Sequence, residues 1–355
     1  MCIRDRYRVW QGSDFDLASA VRDQLAQIGK VDSADVLNEI SPLAALVARR
    51  HAIETGTLRY FAPRFVTRVG LDRIQRTDAP SIFICLAGSA HEADLFKRRA
   101  ADLGVCHTAV VVCSAGSAIA DAVVEVLALR RVQRQSAELA NDPVGQRELS
   151  DRLAAAIATE RNLVGSIFEE PERFEWIIGD YSGTVQSKRD LQIRLSKLLD
   201  VVYGKAPAIQ NELINRDKPS AMAVAGRKKL LMAMLSHSAE EDLGIEKFPA
   251  EKAMYRAILR ASGLHSAQPD GTWKFQPPGV AAPDKLRLAP LWAAITNLLG
   301  SEQGKPLAVL AIYEMLASPP FGVKTGSLPI LLFAYFQAMK LELAFTENGQ
   351  FVPFI

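Results

Sequence analysis

The sequence predicts a mixed α/β, helix-rich chain with a small βαβα unit, a helical middle and a C-terminal winged-helix-like domain. Three features point there. Ser81–Leu86 and Thr108–Cys113 are continuous apolar runs of strand length, each closed by a Gly/Ser loop and followed by a helical stretch. That alternation marks parallel strands buried on both faces. From residue 140 onward helix signals dominate. Near the end, three helical stretches precede Asn348-Gly349, set between apolar segments. Asn-Gly in that setting is the strongest short hairpin signal, and three helices followed by a hairpin is the order of a winged helix-turn-helix. The divisions fall at 7–138 (α/β), 139–268 (helical) and 269–355 (winged-helix-like).

Taken in order, the first six residues, MCIRDR, have neither the apolar core of a signal peptide nor a transit pattern. They read as translated sequencing-adapter sequence at the front of a metagenomic gene prediction, so 1–6 are expected to be an artefact on an internal piece of a longer protein. Ser13 or Asp14 is placed to cap a helix running to about Ile28 and ended by Gly29. Pro42 introduces a short helix over 43–50. Residues 57–69, rich in β-branched and aromatic side chains, read as extended, with Pro63 setting them at an edge or bulge. Helices follow the two apolar strands over about 90–103 and 118–137. Asp142-Pro143, a cap with proline at the first helical position, starts a helix over 145–159 and beyond. A short element around Trp176 comes next, then helices at about 186–202, 219–236 and 249–262. A turn at Asp270-Gly271 sits beside an extended stretch at 272–275, and the last helices span about 286–299, 306–317 and 327–340. No repeat of solenoid period occurs.

The chain has 355 residues, 42 Lys+Arg against 40 Asp+Glu, and 49% hydrophobic residues. That is long enough for two or three cores, and the near-neutral balance excludes an acidic disordered tail or a polycation. No apolar run reaches membrane-spanning length. Cys2, Cys85, Cys106 and Cys113 have no CxxC spacing, which fits a reducing cytoplasm better than a disulfide scaffold or zinc site.

Chemistry-bearing motifs are few. Neither the Walker A pattern GxxxxGKS/T nor GxGxxG occurs. Gly88-Ser89 and Gly116-Ser117 stand where a doubly wound sheet binds ligands, at the carboxyl ends of strands, although such loops are common where nothing binds. The segment 49–61 gathers Arg49, Arg50, His51, Glu54 and Arg59 around Gly56. It is either a phosphate or carboxylate clamp or a basic helix C-terminus turning into a strand, the second ranking ahead. His51, His91, His107, His237 and His265 are scattered without metal-ligand spacing, so no metal is expected. Glu169, Glu170 and Glu172 flank Pro171 in a solvated turn. Residues 205–230 carry Lys205, Arg216, Lys218, Arg227, Lys228 and Lys229 against Glu212 and Asp217. These could touch nucleic-acid phosphates, or form the solvated face of a helix whose apolar side is Leu230, Leu231, Met234 and Leu235; the solvated face ranks ahead. Within the winged-helix-like domain the third helix, SLPILLFAYFQAMK, is apolar almost all round, and the hairpin carries Glu342 and Glu347 with no Lys or Arg. Base readout needs polar and basic groups there, so packing or interaction is expected instead.

Four strings, RRHAIETGTLRYF (49–61), NELINRDKPSAMAVAGRKKLLMAML (211–235), LGIEKFPAEKAMYRAILRASGLH (243–265) and PPFGVKTGSLPILLFAYF (319–336), stand in an order that resembles a known family. It is the region downstream of the ATPase core in very large prokaryotic P-loop ATPases of phage-defence islands, of the BREX type. The resemblance covers most of residues 40–355. It implies an AAA+-like or related motor whose Walker A lies upstream, with ATP and Mg belonging to the parent protein and an arginine finger conceivable among Arg216 and Arg227. Because the phosphate-binding motif is missing here, no ATP-site residue carries over.

The leading expectation is therefore a regulatory and assembly region of a large cytoplasmic defence-associated ATPase. Its partners would be the ATPase core in cis and other defence-system proteins. The fragment itself is expected to hold no cofactor and to hydrolyse no ATP. The alternative is a stand-alone nucleic-acid-binding or protein-interaction module using 205–230, with DNA as a partner. A third expectation, a small enzyme built on 80–135, requires a ligand at the Gly88 and Gly116 loops.

Overall fold

A computed structural model describes residues 13–28, 32–77, 79–301 and 305–352. The adapter-like residues 1–6 and the helix-ending Gly29 lie outside these. The chain divides into two compact units, one drawing on the segments up to Leu46 and from Tyr60 to Leu195, the other on 47–59 and the segment from Ser196 onward.

Unit 1 begins with α1 (Leu17–Ile28). Its cap is Asp16, whose Oδ1 accepts from the Ser19 N–H at 2.9 Å; Ser13 and Asp14, the expected caps, stand too far before Leu17, and Ser13 bonds Asp142 instead. The second helix is α2 (Ser33–Ile40), capped by the Asp32 side chain, and not the expected 43–50. Pro42 follows the cap of a helix that has already ended, a common place for a residue that cannot continue one. The chain then forms β1 (Leu46–Val47), α3 (Arg49–Thr55) and β2 (Tyr60–Val66). β3 (Ser81–Leu86), α4 (Ala90–Ala101), β4 (Thr108–Cys113) and α5 (Gly116–Gln135) complete the expected βαβα unit. α6 (Pro143–Glu169) is capped by Asp142. The Trp176 element proves to be a hairpin, β5 (Glu175–Ile178) and β6 (Tyr181–Thr184).

The six strands lie in sequence order in one sheet. β2, β3 and β4 are parallel, whereas β5 and β6 add on antiparallel. Every residue of β3 and β4 is buried. Phe83, Cys85, Val110 and Val112 pack with Ala93, Phe96 and Ala100 of α4, while α5 lies against β3, α1 and α6. This double cover explains the unbroken apolar runs. Pro63 is tolerated in β2 because only the two-residue β1 lies beyond it.

α7 (Lys188–Val202) leads out of unit 1. Unit 2 contains α3, α8 (Ala221–Ser236), and α9 (Ala250–Tyr255), which runs on into a π turn over Arg256–Arg260. A hairpin of β7 (His265–Ala267) and β8 (Trp273–Phe275) follows, then α10 (Ala289–Ser301), α11 (Val309–Ala317) and α12 (Leu328–Ala338). The last hairpin is β9 (Phe345–Glu347) and β10 (Gln350–Val352). One core runs from Ile214, Leu230 and Met234 through Tyr255, Ile258 and Leu259 to Trp292, Leu316, Leu331 and Tyr335. α12 packs against α8 and β8. Gln337 is buried with them, its amide donating to the Met234 carbonyl at 3.0 Å. Three helices and a hairpin thus succeed one another over 289–352, as the sequence order implies.

Candidate functional site

α8 has the sequence AMAVAGRKKLLMAMLS, apolar on nearly every side. Such a helix is ordinarily buried all round. Here only Ala223, Gly226, Leu230 and Met234 are buried; Leu231 is half-buried and Leu235, expected inside, is exposed. On the outward side Met222 is 74% and Met232 57% exposed, with Val224 and Leu235 beside them. Lys228 and Lys229 stand on the same side. Ala225, Lys228, Lys229, Met232, Ser236 and His237 line a shallow groove of about 510 Å³. Lys229 lies 3.9 Å from Glu251 but is mostly solvated. The remaining cations of the basic stretch divide by role. Lys205, Arg216 and Lys218 are exposed. Arg227 is structural, its Nη1 donating to the Thr325 and Gly326 carbonyls at 3.3 and 3.0 Å and tying α8 to the loop before α12.

Arg50 and Arg59 come together with partners the sequence did not reveal. Arg50 bridges Glu54 and Asp200. Asp200 also bonds His51 Nδ1 at 2.9 Å, while Arg59 Nε donates to His51 Nε2 at 3.2 Å and Nη2 to the Gly322 carbonyl at 2.8 Å. A guanidinium can only donate, so Nε2 is the acceptor and Nδ1 carries the proton toward Asp200. Arg59 also lies 3.6 Å from the Tyr203 ring centroid. Burial lowers the pKa of His51, with Asp200 opposing and Arg59 reinforcing the shift; burial likewise lowers that of Arg59 and raises that of Tyr203. The carboxylate that Arg50 holds is the chain's own. Asp200 lies 149 residues from His51, so no local spacing could have announced it.

The Gly/Ser loops of unit 1 are brought side by side, since Leu86 pairs with Cys113 at the ends of β3 and β4. The first of them is bonded within itself. Gly88 N–H donates to Glu92 Oε2 at 2.8 Å, and Ser89 Oγ accepts from Glu92 N–H at 3.3 Å. This resembles a capping box, legible in sequence as Ser89 followed three residues later by Glu92. Gly116 is buried and Ser117 exposed; a Cβ on Gly116 would strike the Leu86–Ala87 backbone, so this glycine permits α5 to start directly against the end of β3. The neighbouring thiols are buried, and burial pushes Cys113 up to about 12. Glu169 and Glu170 pair with Lys188 and Arg173 on the surface, in line with a solvated turn. Among the described residues no group of three or more His, Cys, Asp or Glu is assembled for a metal, and no helix is long and apolar enough to cross a membrane.

No protein-family model, curated protein or solved structure matches this chain. The candidate site therefore stands on its own geometry, and the outward face of α8 is the surface that geometry sets apart.

Proposed function

We propose that this chain is the regulatory and assembly region of a larger cytoplasmic, defence-associated P-loop ATPase, docking onto its partner through the outward face of α8. The observation that carries the proposal is an apolar helix left half-covered, with Met222 and Met232 solvated beside Lys228 and Lys229. Exposed methionines suit adaptable protein surfaces, and lysines among them favour an acidic amphipathic helix laid into the groove. In this reading the 289–352 segment is winged-helix-like in order and serves packing, its third helix being committed to the core. ATP and Mg belong to the motor, expected in cis. Sequencing the source DNA through both ends of the frame comes first, and a frame lacking an upstream Walker A loop would sink the ATPase assignment. With that core in hand, calorimetric titration against this chain should give binding that Met222→Ser with Met232→Ser abolishes; binding indifferent to both changes would remove α8 from the interface.

A second reading has its own support in the exposure of Lys205, Arg216, Lys218, Lys228 and Lys229: duplex DNA held by phosphate contacts. Affinity would then fall steeply with salt and drop further in Lys228→Glu with Lys229→Glu. Salt-indifferent binding, or none, would dispose of it.

A further inference from the structure

Residues 241–274 of unit 2 carry a construction that the α8 face does not use. Arg256 and Arg260 lie four residues apart in the π turn, and both guanidiniums converge on Asp242. Arg260 Nη1 meets Oδ1 at 2.6 Å and Arg256 Nη2 meets Oδ2 at 3.3 Å. Each guanidinium also lies by an aromatic ring, Arg256 at 5.3 Å from the Phe248 centroid and Arg260 at 5.2 Å from that of Trp273. The two guanidiniums therefore share one carboxylate, and each has an aromatic ring close by. We propose that Phe248, Arg256, Arg260 and Trp273 form a binding site for unpaired nucleotides, bases stacking on the rings and phosphates meeting the arginines.

The chemistry follows from what each group leaves free. A guanidinium offers five N–H donors, and Asp242 engages only one edge of each; the two side chains remain 50% and 44% exposed. Asp242 thus acts as a positioning residue. Lys252 Nζ joins it at 3.2 Å and lies 5.9 Å from the Phe248 centroid, and Arg260 also reaches Glu241 at 3.3 Å. Three cations against two carboxylates leave the hub positive, with Lys247 and Lys274 exposed at its margins and Glu246 next to Lys247. Phe248 is 81% exposed. A solitary exposed aromatic is ordinary, but this one is held on a cationic frame, the combination that single-strand binding surfaces use. Paired bases in a duplex are already stacked and offer no face to such rings. The supporting backbone is also unusual: Asp242, Leu243 and Lys247 have φ of 50°, 55° and 55°, the left-handed region for non-glycine residues, beside a π turn, both of which concentrate at functional positions.

The test is fluorescence anisotropy of the whole chain with labelled 15-mers of dT and U, a hairpin DNA duplex, and an acidic peptide as competitor. Binding of either single strand more tightly than duplex, weakening with salt, is the expected result, and the comparison of dT with U assigns the source. Phe248→Ala should weaken it about 5- to 100-fold, Phe248→Trp should restore it, and Arg256→Gln should lower the salt slope by about one. Phe248 is solvated, so its variants should melt with the wild type, separating binding from folding. Equal affinity for duplex with an unaffected Phe248→Ala would overturn the proposal, as would a bound strand that the acidic peptide displaces as readily as an unlabelled strand does. Met232→Ser in the same titration should change nothing, which keeps failure here distinct from failure of the α8 docking face.

Discussion

At residue scale the most consequential group is His51, a buried imidazole fixed as a neutral bridge between Asp200 and Arg59. Protonating it would turn Nε2 from acceptor to donor and set it against the Arg59 guanidinium, which is why burial and Arg59 hold its pKa below the ordinary value. The sign of the pH effect follows. Below about pH 6.5 the unfolded chain takes up a proton that the native state refuses, so stability falls as pH drops from there toward the lowered native value. His265, also depressed by burial, contributes in the same direction. Melting temperature should therefore decline between pH 7 and 5, and His51→Gln, which can still donate to Asp200 and accept from Arg59, should decline less over that range. Parallel curves for the two proteins would show that His51 does not titrate as described. Half of this cluster was legible: the string 49–61 drew attention to Arg50, His51 and Arg59. Asp200 and Tyr203 were not, because a partner supplied across 149 residues leaves no local trace.

At the scale of elements, legibility tracked the physical source of each signal. β3 and β4 were read to the residue because both faces are covered and every position had to be apolar. α2 was displaced because Pro42 was read as a start, although Asp32, with its side chain on the Ala34 N–H at 2.9 Å, held the real one. The β5–β6 hairpin was legible only as a short element around Trp176, since its strands are four residues each and β5 owes its place to β4. The Gly/Ser loops show how one sequence feature can serve two ends. Gly116 is a packing requirement, for a Cβ there meets the Leu86 and Ala87 backbone, whereas at Gly88 it would meet only the Glu92 carboxylate at 3.4 Å. Gly116→Ala should destabilise unit 1 by about 1–3 kcal/mol, the range for overpacking a closed site, and Gly88→Ala by about 0.5 kcal/mol or less, as for surface changes. Urea midpoints at constant slope measure both. Equal, small effects would mean that α5 can retreat from the end of β3.

At the scale of the molecule, the decisive fact is that the second unit is not continuous in sequence. Residues 47–59 belong to it, and the chain then returns to unit 1 with β2. This short excursion is bonded throughout its length. Asn215 Nδ2 donates to the Gly56 carbonyl at 2.8 Å and to Thr57 Oγ1 at 3.0 Å, and Ile209 N–H donates to the Thr55 carbonyl at 3.0 Å. Gly56, at φ 66°, closes α3 so tightly against Ile209 that no side chain would fit. Arg59 reaches Gly322 from the same segment. Removing 47–59 would leave the Asn215 amide, the Ile209 N–H and the Gly322 carbonyl without these partners, and an unsatisfied buried group costs about 1–3 kcal/mol. Several such losses rival the whole stability of an ordinary domain. Residues 196–352 expressed alone should therefore melt without cooperativity, and fusing 47–59 ahead of them through a Gly/Ser linker should restore a sharp transition by circular dichroism. A cooperative melt of the 196–352 fragment would show instead that α8, α9 and α12 suffice for the core and that the excursion merely decorates it.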